Sequence, residues 1–128
     1  MKFVLAGHGL YPQGVLETIE LLIGRREDVY VVIEAVENDD YKSLVDDLIA
    51  AHEEEGLVVF TDILEGSVNQ YFMRKLKDHR FYLITGFNIA LLLELLLKND
   101  LNAQEIAATV EMSKNQIVYM NDLFSKDN

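Results

Sequence analysis

The sequence predicts an α/β fold: an open, mainly parallel β-sheet flanked by helices. Four apolar runs, Phe3 to Ala6, Val29 to Ile33, Leu57 to Phe60 and Phe81 to Ile84, are short, continuous and closed by turn residues, the pattern of strands buried on both faces. Between them the apolar residues recur at helical spacing. Strands that alternate with helices close into a parallel sheet covered on both sides.

Each element has its own signal. The first strand ends in Gly7-His8-Gly9, and Val15, Leu16, Ile19, Leu22 and Ile23 then mark a helix from about Leu10 to Ile23, with Pro12 tolerated in its first turn and Gly24 as its C-terminal stop. After Val29 to Ile33, the polar link Glu37-Asn38-Asp39-Asp40 offers Asp39 or Asp40 as the N-cap of a helix through Leu44, Leu48 and Ile49. The run Glu53-Glu54-Glu55-Gly56 closes that helix as a solvated surface. Leu57 to Phe60 lead into the loop Thr61-Asp62-Ile63-Leu64-Glu65-Gly66-Ser67 and a helix carrying Val68, Phe72 and Leu76. The fourth strand closes at Thr85-Gly86-Phe87-Asn88, where Asn88 is placed to cap a helix from Ile89 to Leu97. Asn102-Ala103-Gln104-Glu105 reads as a capping box for a last helix bearing Ile106, Val110 and Met112, and Gln116 to Met120 as a fifth short strand. One domain over 1–120 is expected, followed by a short frayed tail, 121–128.

Composition narrows the function. The 128 residues carry 22 acidic against 11 basic side chains, a formal net charge of −11, without the basic stripe that binding to nucleic acid requires. Cysteine is absent, which removes disulfides, thiolate nucleophiles and thiolate metal sites and fits a cytoplasmic protein. The longest apolar stretch, Ile89 to Leu97, is broken by Glu94 and too short to span a bilayer, so membrane insertion is not expected. No metal is expected either: the three histidines, His8, His52 and His79, lack the i, i+3 or i, i+4 spacing of helix-borne ligands. No phosphate-binding or dinucleotide glycine signature and no nucleophile elbow is present.

The chemistry that remains is at His8, at the carboxyl end of the first strand, where open α/β sheets bind their ligands. If the sheet order reverses between the first and third strands, the His8 and Asp62 loops meet. Asp62 would then accept a hydrogen bond from one ring nitrogen and leave the lone pair of the other exposed as a nucleophile. Backbone N–H groups where the first and third helices start, by Gly9 and Gly66, and the Ser67 hydroxyl would bind the phosphoryl oxygens. Simpler roles stay open: His8 as a turn residue, Asp62 or Ser67 as a helix cap, Glu65 as a solvated side chain.

Three blocks in order, Gly7-His8-Gly9 with Gly14 and Gly24, Thr61-Asp62 with Gly66-Ser67, and Thr85-Gly86-Phe87-Asn88-Ile89, make the chain resemble the mannose/fructose/sorbose-type IIA (EIIA) components of the bacterial phosphoenolpyruvate-dependent sugar phosphotransferase system. The likeness spans about the first hundred residues. It implies a flavodoxin-like sheet, a homodimer with a C-terminal strand exchanged between subunits, and no cofactor. It also implies that His8 takes a phosphoryl group from the carrier HPr, on the ring nitrogen remote from Cβ, and passes it to a IIB (EIIB) component. The aspartate matching Asp62 orients the ring, the serine matching Ser67 lies by the phosphoryl group, and the membrane is met only through the EIIC and EIID components. Two departures mark this chain: Glu65 replaces the first of two glycines, and Val68 a frequent proline. Two other readings share the features: the phosphotransfer subunit of dihydroxyacetone kinase, against which Gly9 stands where serine is usual, and a non-catalytic regulatory module of the same fold.

Overall fold

The structure, a computed structural model, describes residues 1–34 and 40–124. Among these residues lie four strands, β1 (Lys2–His8), β2 (Val29–Glu34), β3 (Leu57–Thr61) and β4 (Tyr82–Thr85). The helices are α1 (Tyr11–Ile23), α2 (Tyr41–His52), α3 (Ser67–Lys75), α4 (Ile89–Leu97), α5 (Ala103–Ser113) and α6 (Met120–Phe124). The chain divides into two compact units, Met1–Phe87 and Asn88–Asn128.

In the first unit all strands are parallel, in the order β2-β1-β3-β4. The chain steps from β1 to one side and then returns across it to β3. The reversal expected from the sequence therefore falls between β1 and β3, the place where open α/β sheets bind their ligands. Leu57, Val58, Val59 and Phe60 are fully buried, as central strands covered on both faces require. Strand alternation splits the core. Val4, Ala6, Val32, Leu57 and Val59 pack with Tyr41, Val45, Leu48 and Ile49 of α2 and Val68 and Phe72 of α3. Phe3 and Leu5 turn to the opposite face, where Phe3 stacks on Phe60 with ring centroids 6.5 Å apart and α1 buries Val15 and Ile19.

Local signals behave as their chemistry demands. Pro12 sits in the first turn of α1, and Gly24 ends that helix at φ 92°, in the left-handed region that suits glycine. Leu10 occupies the N-cap of α1, so the helix begins one residue later than expected. For α2, Asp40 occupies the N-cap position but makes no side-chain capping bond, and Asp39 lies outside the described residues. Strand β1 runs on through Gly7 to His8, and β4 is displaced by one residue from the expected run.

In the second unit the expected caps form. Asn88 accepts from the Leu91 N–H at 2.8 Å and Asn102 from the Glu105 N–H at 2.9 Å. Asn88 also donates to the Ser113 carbonyl at 3.1 Å, tying the start of α4 to the end of α5. The last helix carries Ile106, Val110 and Met112 as expected; it buries Ile106, Thr109 and Ser113 and leaves Met112 67% exposed. One expectation fails here. Gln116 to Met120 form no strand: Lys114–Gln116 is a 3-10 turn, and Met120 and Asn121 already belong to α6. A strand exists only through its pairing, and residues 117–119 lie in no helix or strand.

Candidate active site

The register of the sheet sets the site. His8, the last residue of β1, pairs with Glu34, the last residue of β2, so both side chains leave the same end of adjacent strands. On the other side Ala6 pairs with Thr61, and Asp62 follows at once. The Asp62 carboxyl group folds back over Gly7. A Cβ there would lie 2.7 Å from Asp62 Cγ and Oδ2, closer than packed atoms come, so this neighbour must be glycine. Gly9, at φ 58°, then turns the chain from β1 toward α1. The β3–α3 loop is braced from within: buried Thr61 donates to Asn69 Oδ1 at 2.7 Å, and Asn69 donates to the Leu64 carbonyl at 2.9 Å.

Asp62 fixes His8 at two points. Its Oδ2 accepts from the His8 backbone N–H at 2.9 Å and lies 2.7 Å from His8 Nδ1, while Oδ1 accepts from the Ile63 N–H at 2.9 Å. Asp62 is thus committed to His8 and does not cap α3, whose N-cap is Gly66. The opposite ring nitrogen, Nε2, lies 2.8 Å from Glu34 Oε2. Ser67, the first residue of α3, donates to Glu34 Oε1 at 2.5 Å. A carboxylate is favoured at this place, since it faces the positive end of α3. The Gly66 N–H is engaged by the Ile63 carbonyl at 3.2 Å, so what Gly66 supplies is room: a Cβ would lie 3.0 Å from His8 Cε1.

The electrostatics follow from these contacts. The hydrogen bond to Asp62 raises the His8 pKa above 6.5 against the opposing effect of partial burial, and the charges of Asp62 and Glu34 add to the rise. Burial pushes the Asp62 carboxyl up, but hydrogen bonds from the His8 side chain, the His8 N–H and the Ile63 N–H outweigh it, and its pKa falls below the ordinary value. The imidazole remains reachable, with a side-chain exposure of 44% against 13% for Asp62. A ring fixed at Nδ1 by a largely buried carboxylate leaves Nε2, the nitrogen that faces Glu34, as the one suited to nucleophilic group transfer.

His8, Asp62, Gly66 and Ser67 are thus brought together, with Gly9 in the turn beside them. The other histidines stand apart. His52 pairs with Glu55 and stacks on Tyr30, and His79 lies 3.1 Å from Glu53. Glu65 is exposed, and its carbonyl accepts from Gln70 at 3.3 Å. Two members were not foreseen, Glu34 and the contact role of Gly7. Glu34 carried no signal of its own in the sequence, since it meets His8 only through the pairing of β1 with β2.

Known proteins resemble this chain in sequence and fold. The chain matches the family model of the PTS system fructose IIA component (EIIA-man) over residues 2–114. No curated protein sequence matches it. Among solved structures, a Klebsiella pneumoniae protein provisionally assigned as a phosphoenolpyruvate-dependent sugar phosphotransferase system permease is 31% identical, with a TM-score of 0.86 over 97% of this chain and 93% of that one. The IIA protein associated with the fucose utilization operon of Streptococcus pneumoniae is 23% identical, with a TM-score of 0.81 over 97% and 96% of the two chains. The phosphotransferase system component EIIA of Streptococcus agalactiae is 22% identical, with a TM-score of 0.79 over 94% and 98%. Among the described residues no helix is long and apolar enough to cross a membrane. The parallel sheet, the family match and these structural relatives lead to one conclusion: the chain belongs to the mannose/fructose family of IIA components of the sugar phosphotransferase system.

Proposed function

We propose that this chain is a cytoplasmic phosphocarrier that takes a phosphoryl group on His8 Nε2 from the phosphohistidine of HPr and hands it to a IIB component. The observation that carries this reading is the fixation of His8 by Asp62, at Nδ1 and at the backbone N–H. It selects the tautomer with the proton on Nδ1 and the lone pair on Nε2. The Nε2 lone pair attacks phosphorus, the bond to the donor imidazole breaks, and its electron pair returns to the HPr ring. Asp62 then neutralises the positive charge of the phosphorylated His8 ring. Ser67, at the N-terminus of α3, donates to a phosphoryl oxygen, and Gly9 and Gly66 leave the approach clear of side chains. Transfer to the IIB acceptor repeats the displacement in the other direction.

Assembly as a homodimer belongs to the same reading. Its support is the apolar stretch Ile117, Val118 and Tyr119, each at least 45% exposed, whose β-branched and aromatic composition suits a strand given to a partner subunit. Sedimentation of the wild type against an Ile117→Ser/Tyr119→Ser variant tests this. A dimer weakened by the substitutions supports it, and a wild-type monomer refutes it.

The carrier function is tested by intact mass after incubation with phosphoenolpyruvate, enzyme I and HPr. The wild type gains one acid-labile phosphoryl group, which then moves to a cognate IIB protein. No gain would reject the reading, and transfer to the nucleotide-binding subunit of dihydroxyacetone kinase alone would replace it.

A further inference from the structure

The place beside His8 Nε2 that a phosphoryl group must enter is already filled by a side chain of the chain itself. Glu34 Oε2 lies 2.8 Å from Nε2, and Glu34 Oε1 takes the Ser67 hydroxyl at 2.5 Å. We infer that Glu34 is an internal stand-in for the phosphoryl group, one that must leave His8 and Ser67 for the phosphoryl to enter and that returns when it departs. The inference rests on the phosphocarrier reading above and adds a residue that governs how readily His8 is loaded.

Two physical effects set Glu34 against loading. The first is volume, because a tetrahedral phosphoryl group bonded to Nε2 cannot share its space with an oxygen 2.8 Å from that nitrogen. The second is charge. With Asp62 at Nδ1 and Glu34 at Nε2, the ring is clamped between two carboxylates, an arrangement that favours the imidazolium, whose Nε2 has no lone pair to offer. Once a phosphoryl group of charge about −1.5 to −2 is in place, the same carboxylate repels it. The clamped state in turn leaves Glu34 dependent on His8. Its Oε2 is buried and receives no hydrogen bond, so the ionic contact with the ring is what offsets its desolvation.

The transfer step balances without Glu34. The Nε2 proton of the clamped imidazolium leaves to solvent, the freed lone pair attacks phosphorus, and the HPr nitrogen takes back the electron pair of the broken bond. Glu34 shifts the equilibrium before that step. It can do so because it is attached at the end of β2, level with His8, and returns at high effective concentration.

Single-turnover transfer from phospho-HPr to the wild type, Glu34→Gln and Glu34→Ala tests the inference, with His8→Gln as the blank and thermal unfolding as the control for folding. Both Glu34 variants are expected to load about five- to tenfold faster than wild type, Ala at least as fast as Gln, and to hold more phosphoryl at equilibrium with HPr. Loading of Glu34→Ala at or below the wild-type rate would overturn the inference; slower loading would make Glu34 a base that removes the Nε2 proton. If neither the wild type nor Glu34→Ala takes label, the phosphocarrier reading itself has failed, an outcome distinct from equal labelling. NMR titration of His8 gives a readout without phosphate: its pKa falls in Glu34→Ala if the clamp exists and is unchanged if it does not.

Discussion

Two histidines of this molecule are each paired through Nδ1 with a carboxylate that also takes a nearby backbone N–H, at opposite ends of one sheet. Asp62 takes the His8 backbone N–H at 2.9 Å and faces His8 Nδ1 at 2.7 Å; Glu53 takes the Arg80 backbone N–H at 3.0 Å and faces His79 Nδ1 at 3.1 Å. His8 closes β1, whereas His79 precedes β4, and because all strands are parallel the first lies at their carboxyl ends and the second at their amino ends. At the carboxyl ends Glu34 faces the second ring nitrogen, and Ser67, at the start of α3, holds Glu34. Among the described residues the His79 ring bonds Glu53, the acid that closes α2. A carboxylate–imidazole pair is therefore not a site by itself; the end of the sheet on which it stands decides what the free nitrogen can reach.

The largest expected effect separates the two directly. His8→Gln abolishes acceptance of phosphoryl from phospho-HPr, while His79→Gln accepts at the wild-type rate; radiolabel transfer measures both. Asp62→Asn keeps the shape of the carboxylate but loses its charge and its hold on the tautomer, and lowers the single-turnover rate about 10²-fold. The matching Glu53→Gln changes that rate by less than twofold, since its pair touches no reacting atom. Gly7→Ala drives a methyl into the Asp62 carboxyl group, costing about 1–3 kcal/mol in chemical denaturation and slowing transfer with it. If Gly7→Ala keeps full activity, the close approach of Asp62 is not needed for function.

The smallest effect is in pH. The folded-state pKa of His8 is raised, so the stability it contributes is fully present below its unfolded value near 6.5 and is lost as pH rises through the folded value. The stability difference between wild type and His8→Gln accordingly shrinks as pH rises through that window, as denaturation at several pH values shows. Loading runs the other way: Nε2 must be unprotonated to attack, so the transfer rate climbs over the same window. A rate that falls there would break the link between the Asp62 contact and reactivity.

Much of this was legible in the sequence because the decisive signals are local. Continuous apolar runs marked the strands, Gly24 and Asn88 marked helix ends, and the position of His8 after β1 marked the reacting end of the sheet. The partnership of His8 with Asp62 needed one further condition, the reversal between β1 and β3, which the order β2-β1-β3-β4 meets. Glu34 was not legible, because its role depends on the register of β1 against β2, a long-range property that no window of sequence contains. Gln116 to Met120 misled for a related reason: apolar and β-branched composition fits a strand, yet pairing decides whether one forms.

The central claim is that Asp62 reserves Nδ1 and so directs the phosphoryl group to Nε2. The most direct test is NMR of the phosphorylated, nitrogen-15-labelled protein, which distinguishes the two ring nitrogens by their coupling to phosphorus. The account predicts a single phosphorus attached to Nε2 of His8. Attachment at Nδ1, or at any residue other than His8, would contradict it.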